Sequence, residues 1–125
     1  MPESTSTHPR VLIIEDDRPL TRLYSKVLTR GGCLVRTARS LGEAHDLMER
    51  YPFDVCLCDV FVGDEVGLNM LCQLTLLDTD GTELIMISGW DQFRPLCEAF
   101  GVTFYLKPIP NAELVRIVKD AARRT

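Results

Sequence analysis

The stretch that decides the fold is DVCLCD, which runs from Asp54 to Asp59. Its apolar residues, Val55 to Cys58, form a continuous run rather than an alternating one, which is typical of a strand buried on both faces of a parallel sheet. The run ends abruptly at the carboxylate of Asp59. We therefore expect Asp59 to stand at the carboxyl end of a buried strand, and Asp54, at the other end, to lie on the surface.

Short apolar runs of the same kind recur along the chain. The runs predicted as strands cover 11–14, 33–37, 53–58, 84–87 and 102–106. Amphipathic stretches at helical spacing separate them and follow the last one, with no internal repeat and no linker. This alternation predicts one doubly wound α/β domain on a five-stranded parallel sheet.

Capping residues mark where the helices begin. Asp17 is predicted to cap the first helix rather than to serve as a third metal ligand, and Ser40 begins the second through a capping box with Glu43. A third helix is expected over 67–77, after a loop over 59–66. The fourth starts near Trp90 and ends before Gly101, and Asn111 is a candidate cap for the last helix.

Composition narrows the class of protein. The 125 residues suit a single domain, and the formal charge is −4. No run of Lys or Arg forms a stripe that could follow a phosphate backbone, so direct nucleic-acid binding is not expected. No apolar stretch approaches the roughly 20 residues of a membrane span, and no signal peptide is visible, which predicts a cytoplasmic protein. Residues 1–9 are polar and predicted to be a flexible leader, and 10–125 the folded domain.

The cysteines are predicted to be structural. Their number, five, is odd, and they sit in apolar segments. Cys56 and Cys58 could form a metal or redox pair, but two residues on one face of a covered strand are more often small core residues. We expect the core role.

Polar and charged residues follow the predicted strands. Glu15 and Asp16 come after the first, Asp59 after the third, Ser88 after the fourth and Lys107 after the fifth. In doubly wound sheets the ligand site lies beyond the carboxyl ends of the strands, so these side chains should converge. Clustered carboxylates repel one another unless they share protons or hold a divalent cation, and oxygen ligands suit Mg²⁺ or Mn²⁺.

This set of groups predicts phosphoryl chemistry. A carboxylate beside a divalent cation can attack phosphorus and form an aspartyl phosphate, and Asp59 is the best candidate nucleophile. Lys107 and the Ser88 hydroxyl can bind the phosphoryl oxygens as charge develops on them.

Four motifs in register carry a family resemblance. VLIIEDD, CLCDVFVGDEVGL, LIMISG and FYLKP, in this order and spacing, resemble the receiver domain of two-component response regulators, the CheY-like superfamily. The resemblance covers the chain from Arg10 onward. It implies a flavodoxin-like (βα)5 fold with strand order 2-1-3-4-5.

The resemblance also implies a role for each matching residue. Asp59 matches the phosphoacceptor. Asp16 matches the direct ligand of Mg²⁺, with Glu15 acting beside it, and the backbone carbonyl of Phe61 matches the remaining protein ligand.

Further matches concern the conformational switch. Ser88 matches the switch hydroxyl and Phe104 the switch aromatic, although Phe104 could equally be a core residue. Lys107 matches the family's lysine, whose bond to Pro108 is often cis in the family.

The chain also departs from the family pattern. Gly63 stands where Pro is usual, and the segment from Ser88 to Lys107 is short, so a trimmed fourth helix is expected. Phe61 and Trp90 flank the phosphoacceptor at positions that are often polar, and we predict that they slow hydrolysis of the phosphoryl group. The open alternative is that Trp90 simply packs in the shortened helix.

The implied partners are a histidine kinase or phosphotransfer protein, a downstream protein or output domain, and possibly a second copy in a homodimer. The chain would catalyse only its own phosphoryl transfer and autodephosphorylation. The main alternative is a degenerate receiver that binds a partner independently of phosphate. A haloacid-dehalogenase-like phosphatase would need a second Asp where Phe61 stands, and no P-loop motif occurs.

Overall fold

The computed structural model describes residues 8–62, 65, 66 and 81–124, with no side-chain description at 61, 62, 65 and 66. The labels β1 to β5 number the strands of the main sheet, and α1 to α4 number the helices, within those residues. The strands are β1 (Arg10–Ile14), β2 (Leu34–Ala38), β3 (Val55–Asp59), β4 (Glu83–Ser88) and β5 (Thr103–Leu106). The helices are α1 (Arg18–Arg30), α2 (Leu41–Arg50), α3 (Arg94–Ala99) and α4 (Asn111–Arg123).

The strands form one parallel sheet in the order β2-β1-β3-β4-β5. This order confirms the predicted flavodoxin-like topology. Because successive side chains of a strand point to opposite faces, the sheet separates two cores. One contains Leu12, Cys56 and Cys58 beneath α2 and α3, and the other contains Val11, Ile13 and Leu57 beneath α1 and α4.

Cys56 and Cys58 are buried, which confirms their role as core residues. Burial raises the pKa of the Cys56 thiol to about 12 and raises that of Cys58 as well. Both thiols therefore remain protonated at neutral pH. Cys72 lies outside the described residues.

Two predicted caps are confirmed and one is wrong. The Asp17 carboxylate accepts from the Leu20 amide at 3.2 Å, and the Ser40 hydroxyl accepts from the Glu43 amide at 3.1 Å. Asn111, however, is the first residue of α4, and the cap position is Pro110, which makes no side-chain hydrogen bond. The Pro110 carbonyl accepts the first bond of the helix, from the Leu114 amide at 2.9 Å.

Other boundaries differ modestly from the predictions. β2 begins at Leu34, one residue later than predicted, and Pro9 is buried with its carbonyl accepting from the Leu34 amide at 2.8 Å. Within the stretch predicted to be a loop, Phe61–Val62 and Glu65–Val66 pair as a short antiparallel hairpin. The helix predicted over 67–77 lies outside the described residues.

The segment between β4 and β5 is short, as predicted. A 3₁₀ turn at Asp91–Phe93 leads into the six-residue helix α3. The other helices of the described residues have 10 to 13 residues. None of the described helices combines the length and apolar character that a membrane crossing requires.

Two predictions about charged residues are wrong. Asp54 is not a solvated surface residue, because its side chain is only 14% exposed and forms an ion pair with Arg10. The chain also does carry a stripe of cations, on α1, where Arg18, Arg22, Lys26 and Arg30 recur every four residues. This spacing brings them together only once the segment is helical.

Candidate functional site

Glu15 places a carboxylate at the carboxyl end of β1. Its side chain is only 2% exposed, and Oε2 accepts from the Asp17 amide at 3.2 Å. The backbone is fixed on both sides, since the Glu15 amide donates to the Ala38 carbonyl at 3.0 Å and the Thr21 hydroxyl donates to the Glu15 carbonyl at 3.3 Å. The start of α1 therefore holds Glu15 pointing into the crevice.

Lys107 bridges the two strand ends that carry acids. Its Nζ lies 3.2 Å from Glu15 Oε1 and 3.4 Å from Asp59 Oδ2. The last registered pair of β1 and β3 is Ile14 with Cys58, so Glu15 and Asp59 are the next residues on neighbouring strands. The structure therefore brings together three residues separated by more than forty positions in sequence.

The three charges perturb one another. Burial and the nearby Asp59 carboxylate raise the pKa of Glu15 to about 7, despite the opposing effect of Lys107. Burial alone would lower the pKa of Lys107, but Asp59 and Glu15 outweigh it, so the pKa lies above its ordinary value. The ammonium is thus charged throughout the physiological range, and Glu15 is partly protonated at neutral pH.

Ser88 ends β4 beside this cluster and is completely buried. Its carbonyl accepts from the Lys107 amide at 2.7 Å, and its hydroxyl oxygen accepts from the Trp90 amide at 3.0 Å. The bond from Lys107 to Pro108 is cis, as the resemblance implied. These contacts fix the ends of β4 and β5 relative to each other.

The remaining acids lie at the solvent edge. Asp16 and Asp17 are both exposed, and Asp17 is engaged as the cap of α1. Asp16 is adjacent to Glu15 in this turn. Phe61 begins the hairpin two residues beyond Asp59, and its side chain lies outside the described residues.

Phe104 and Trp90 lie in contrasting environments. Phe104 in β5 is 6% exposed and faces the core beneath α2 and α3. The Arg94 guanidinium lies 4.8 Å from the centroid of its ring and is hydrogen-bonded to Asp91 at 2.8 Å. Trp90 is 59% exposed, so the alternative that it packs in the shortened helix is wrong.

Sequence reasoning missed two residues that support these groups. Thr21 links α1 to the Glu15 carbonyl, and Arg94 covers the ring of Phe104. A Thr in the first turn of a helix is only weak evidence for a tertiary contact, because such hydroxyls often bond to their own helix. The contact of Arg94 depends on the path of a short connection that periodicity does not specify.

The donor set fits a hard divalent cation. Glu15, Asp16 and Asp59 would offer only carboxylate oxygens, and burial together with the nearby Asp59 carboxylate raises the pKa of Glu15. Nitrogen and sulfur ligands are missing from the described part of this cluster. This chemistry suits Mg²⁺ or Mn²⁺ rather than a softer metal.

Comparison with protein families identifies the response regulator receiver domain, whose family pattern matches residues 11–119. Among curated relatives, the transcriptional regulatory protein CpxR of Escherichia coli is 32% identical over 93% of this chain and 50% of its own length. The response regulator PilR of Pseudomonas aeruginosa is 29% identical over 91% of this chain but 26% of its own length. The chain therefore spans half or less of these relatives.

Solved structures show the same fold. A CheY-like receiver domain from Methanospirillum hungatei superposes with a TM-score of 0.83 at 23% identity, covering 94% of this chain and 96% of that one. A response regulator from Chloroflexus aurantiacus gives a TM-score of 0.84 at 24% identity, covering 94% and 100%. At these identities the similarity concerns the fold alone.

Proposed function

Because this chain belongs to the response regulator receiver domain family, we propose that it accepts a phosphoryl group on Asp59 and thereby controls a partner surface. One observation carries the proposal. Lys107 Nζ lies 3.2 Å from Glu15 and 3.4 Å from Asp59, so a fixed cation stands beside a partly accessible carboxylate at the end of a buried strand.

The reaction follows from the chemistry of these groups. An Asp59 oxygen attacks the phosphorus of a phosphohistidine, the new P–O bond forms, and the P–N bond breaks as the histidine nitrogen leaves with the electron pair. Lys107 then has a second role, since its ammonium can shift from the carboxylate to a phosphoryl oxygen. The buried Ser88 hydroxyl lies at the end of the adjacent strand and can donate a hydrogen bond to another phosphoryl oxygen.

Glu15 and Asp16, with the Phe61 carbonyl, would hold Mg²⁺ or Mn²⁺. The cation would neutralise charge on the carboxylates and the phosphoryl oxygens. Glu15 is buried and Asp16 is exposed. We therefore assign to Asp16 the direct contact with the metal, and to Glu15 the ion pair that offsets the charge of Lys107.

The output would be a change around β5. A phosphoryl group adds about −1.5 to −2 charges at the strand end. If Ser88 turns toward it, the hydroxyl leaves the Trp90 amide, and space opens for Phe104 to turn inward or outward. A preference of only ~3 kcal/mol for one arrangement changes the two-state ratio more than a hundredfold.

The expected donor is a histidine kinase or phosphotransfer protein in the cytoplasm, and the recipient of the signal a downstream protein or output domain. Support comes from the regulators named above, which are longer than the matched region. A second copy of the chain, in a homodimer, is a further candidate partner. The alternative, a degenerate receiver, is disfavoured by the acids, hydroxyl and lysine that this chain retains at the strand ends.

Incubation with acetyl phosphate and Mg²⁺, followed by intact-mass measurement, tests the proposal. We expect one phosphoryl group on the wild-type chain, none with Asp59→Asn, and none when the metal is chelated. The matched control is Asp46→Asn on the exposed side of α2, which should incorporate phosphate normally. Equal incorporation in the Asp59→Asn variant would reject Asp59 as the acceptor.

A further inference from the structure

Helix α1 carries two parallel rows of polar side chains, of which only Thr21 contacts the proposed phosphoryl site. One row is the cationic stripe, whose members recur every four residues from Arg18 to Arg30. At a rise of 1.5 Å per residue the stripe is about 18 Å long. The second row consists of Thr21, Ser25 and Thr29 at the same spacing. Like charges at this spacing oppose helix formation, so the stripe is not explained by the stability of α1.

The two rows border a surface cavity between α1 and β2. Its volume is about 490 Å³, within the usual range for a small-ligand site. Three cations line it, Arg22, Lys26 and Arg30. Four hydroxyls complete the lining, those of Thr21, Ser25, Thr29 and Thr37. Among the described residues, no carboxylate and no aromatic ring belongs to this lining.

The lining cations are available to a ligand. Over residues 8–62, 65, 66 and 81–124, none of the three lining cations forms a salt bridge. Several cations elsewhere are paired, for example Arg10 with Asp54 and Arg123 with Asp120. In a chain with a formal charge of −4, this leaves a local concentration of positive charge facing an open cavity.

The chemistry of the lining selects the class of ligand. Guanidinium and ammonium groups with hydroxyls are the donors that bind phosphate oxygens, and several cations within about 12 Å suit an anion with more than one phosphate. Without an aromatic ring the cavity offers no stacking surface for a base. Recognition would therefore depend on the phosphates rather than on what they are attached to.

We propose that the cavity between α1 and β2 binds a small oligophosphate anion, either inorganic or the phosphate chain of a nucleotide. The aliphatic stems of Arg22 and Lys26 would form its walls, with their charged ends directed to the phosphates. The site is separate from the carboxylate cluster. It shares only Thr21, whose single hydroxyl hydrogen is already directed to the Glu15 and Asp17 carbonyls, so Ser25, Thr29 and Thr37 are the hydroxyls that would donate to the phosphates.

The test is titration of the full chain with inorganic tripolyphosphate in EDTA, followed by amide chemical shifts and calorimetry. EDTA prevents metal-bridged binding at the acidic cluster. We expect shifts confined to α1 and β2, and affinity that falls steeply with salt. The double variant Arg22→Gln/Lys26→Gln should bind at least about tenfold more weakly, because two charge-assisted contacts are lost.

Two controls make the result decisive. Arg116→Gln, which removes an exposed cation from α4, should change affinity less than about twofold, because long-range charge is screened by salt. Asp59→Asn should bind as the wild type does, which separates this site from the proposed phosphoacceptor. Titration with ATP and AMP then distinguishes the sources, since a nucleotide carrying one phosphate should bind far more weakly than one carrying three.

Three outcomes would overturn the proposal. The first is no binding at millimolar tripolyphosphate. The second is an equal loss of affinity in Arg116→Gln and in the double variant. The third is that an acidic peptide or an oligonucleotide binds through Arg22 and Lys26, whereas tripolyphosphate causes no chemical shift change in the amides of α1 and β2.

Discussion

The ion pair between Arg10 and Asp54 should contribute measurably to stability, and replacing Asp54 by Asn isolates its charge. The pair joins the first residue of β1 to the residue before β3, at the end of the sheet opposite the site. Asp54 accepts three hydrogen bonds from Arg10, from the amide at 2.8 Å, from Nε at 3.1 Å and from Nη2 at 2.9 Å. An Asn oxygen in the place of Oδ2 can still accept from the amide and from Nε, but the acceptor for Nη2 and the negative charge are lost.

The magnitude follows from the contacts and their exposure. A hydrogen bond to a charged group contributes about 1.5–3 kcal/mol net when well buried. The Asp54 side chain is 14% exposed but that of Arg10 is 41% exposed, so water replaces part of the lost interaction. We expect Asp54→Asn to lower the free energy of unfolding by about 1–2 kcal/mol and Tm by about 3–8 °C.

The effect should depend on pH with a defined sign. The hydrogen bonds from Arg10 lower the pKa of Asp54 below its ordinary value of 3.8. A lowered pKa in the folded state means that the stabilisation is complete above about pH 4 to 5 and is lost as the pH falls through the folded-state pKa. The difference between wild type and Asp54→Asn should therefore be constant near neutrality and narrow toward about pH 3.

Urea denaturation at a series of pH values measures this difference. The matched control is Asp120→Asn, whose carboxylate pairs with Arg116 and Arg123 on an exposed face of α4 and should cost less than about 0.5 kcal/mol. A loss in Asp54→Asn no greater than in Asp120→Asn, or a difference that grows as the pH falls, would refute the reasoning.

Three further predictions concern the switch and the lifetime of the phosphoryl group. Arg94→Gln removes a cation–π contact worth about 0.5–1 kcal/mol. A titration with a phosphoryl mimic should therefore show the ratio of Phe104 conformers shifted about two- to fivefold. An unchanged ratio would count against a role for this contact. Ser88→Ala leaves the Trp90 amide without its acceptor and should cost about 0.5–1.5 kcal/mol in urea denaturation, whereas Ser88→Thr should keep most of that stability and the response to the mimic. The double variant Phe61→Asn/Trp90→Glu should lose its phosphoryl group faster than wild type in a phosphate-release assay, and equal rates would show that the two bulky groups do not exclude water.

The positions of the strands and the composition of the site were predictable from the residues because both follow from the same regularity, whereas the order of the strands was implied by the family resemblance. Parallel strands bring their carboxyl ends to one edge, so the residues after the apolar runs, Glu15, Asp59, Ser88 and Lys107, had to converge if the runs were strands. Short continuous apolar runs bounded by turn residues and separated by amphipathic helical stretches favour buried parallel strands. The short connection before β5 was likewise predictable, because the segment from Ser88 to Lys107 has fewer residues than the family pattern.

What the sequence did not reveal depends on side-chain geometry. Arg10 and Asp54 are 44 positions apart and meet only through the register of β1 and β3. The cationic stripe was missed because its members are never adjacent in sequence and converge only on a helix. Asn111 was expected to cap α4 because Asn is a common cap, but the neighbouring Pro110 occupies that position with a backbone already suited to it.

The measurement that tests the central claim most directly is chemical mapping of the phosphorylated residue. Borohydride reduces an acyl phosphate to an alcohol, so a phosphorylated aspartate becomes homoserine, which peptide mass spectrometry can locate. The account predicts homoserine at position 59 alone, after treatment with acetyl phosphate and Mg²⁺. Reduction at Glu15 or Asp16, or phosphate incorporation with no homoserine at position 59, would contradict it.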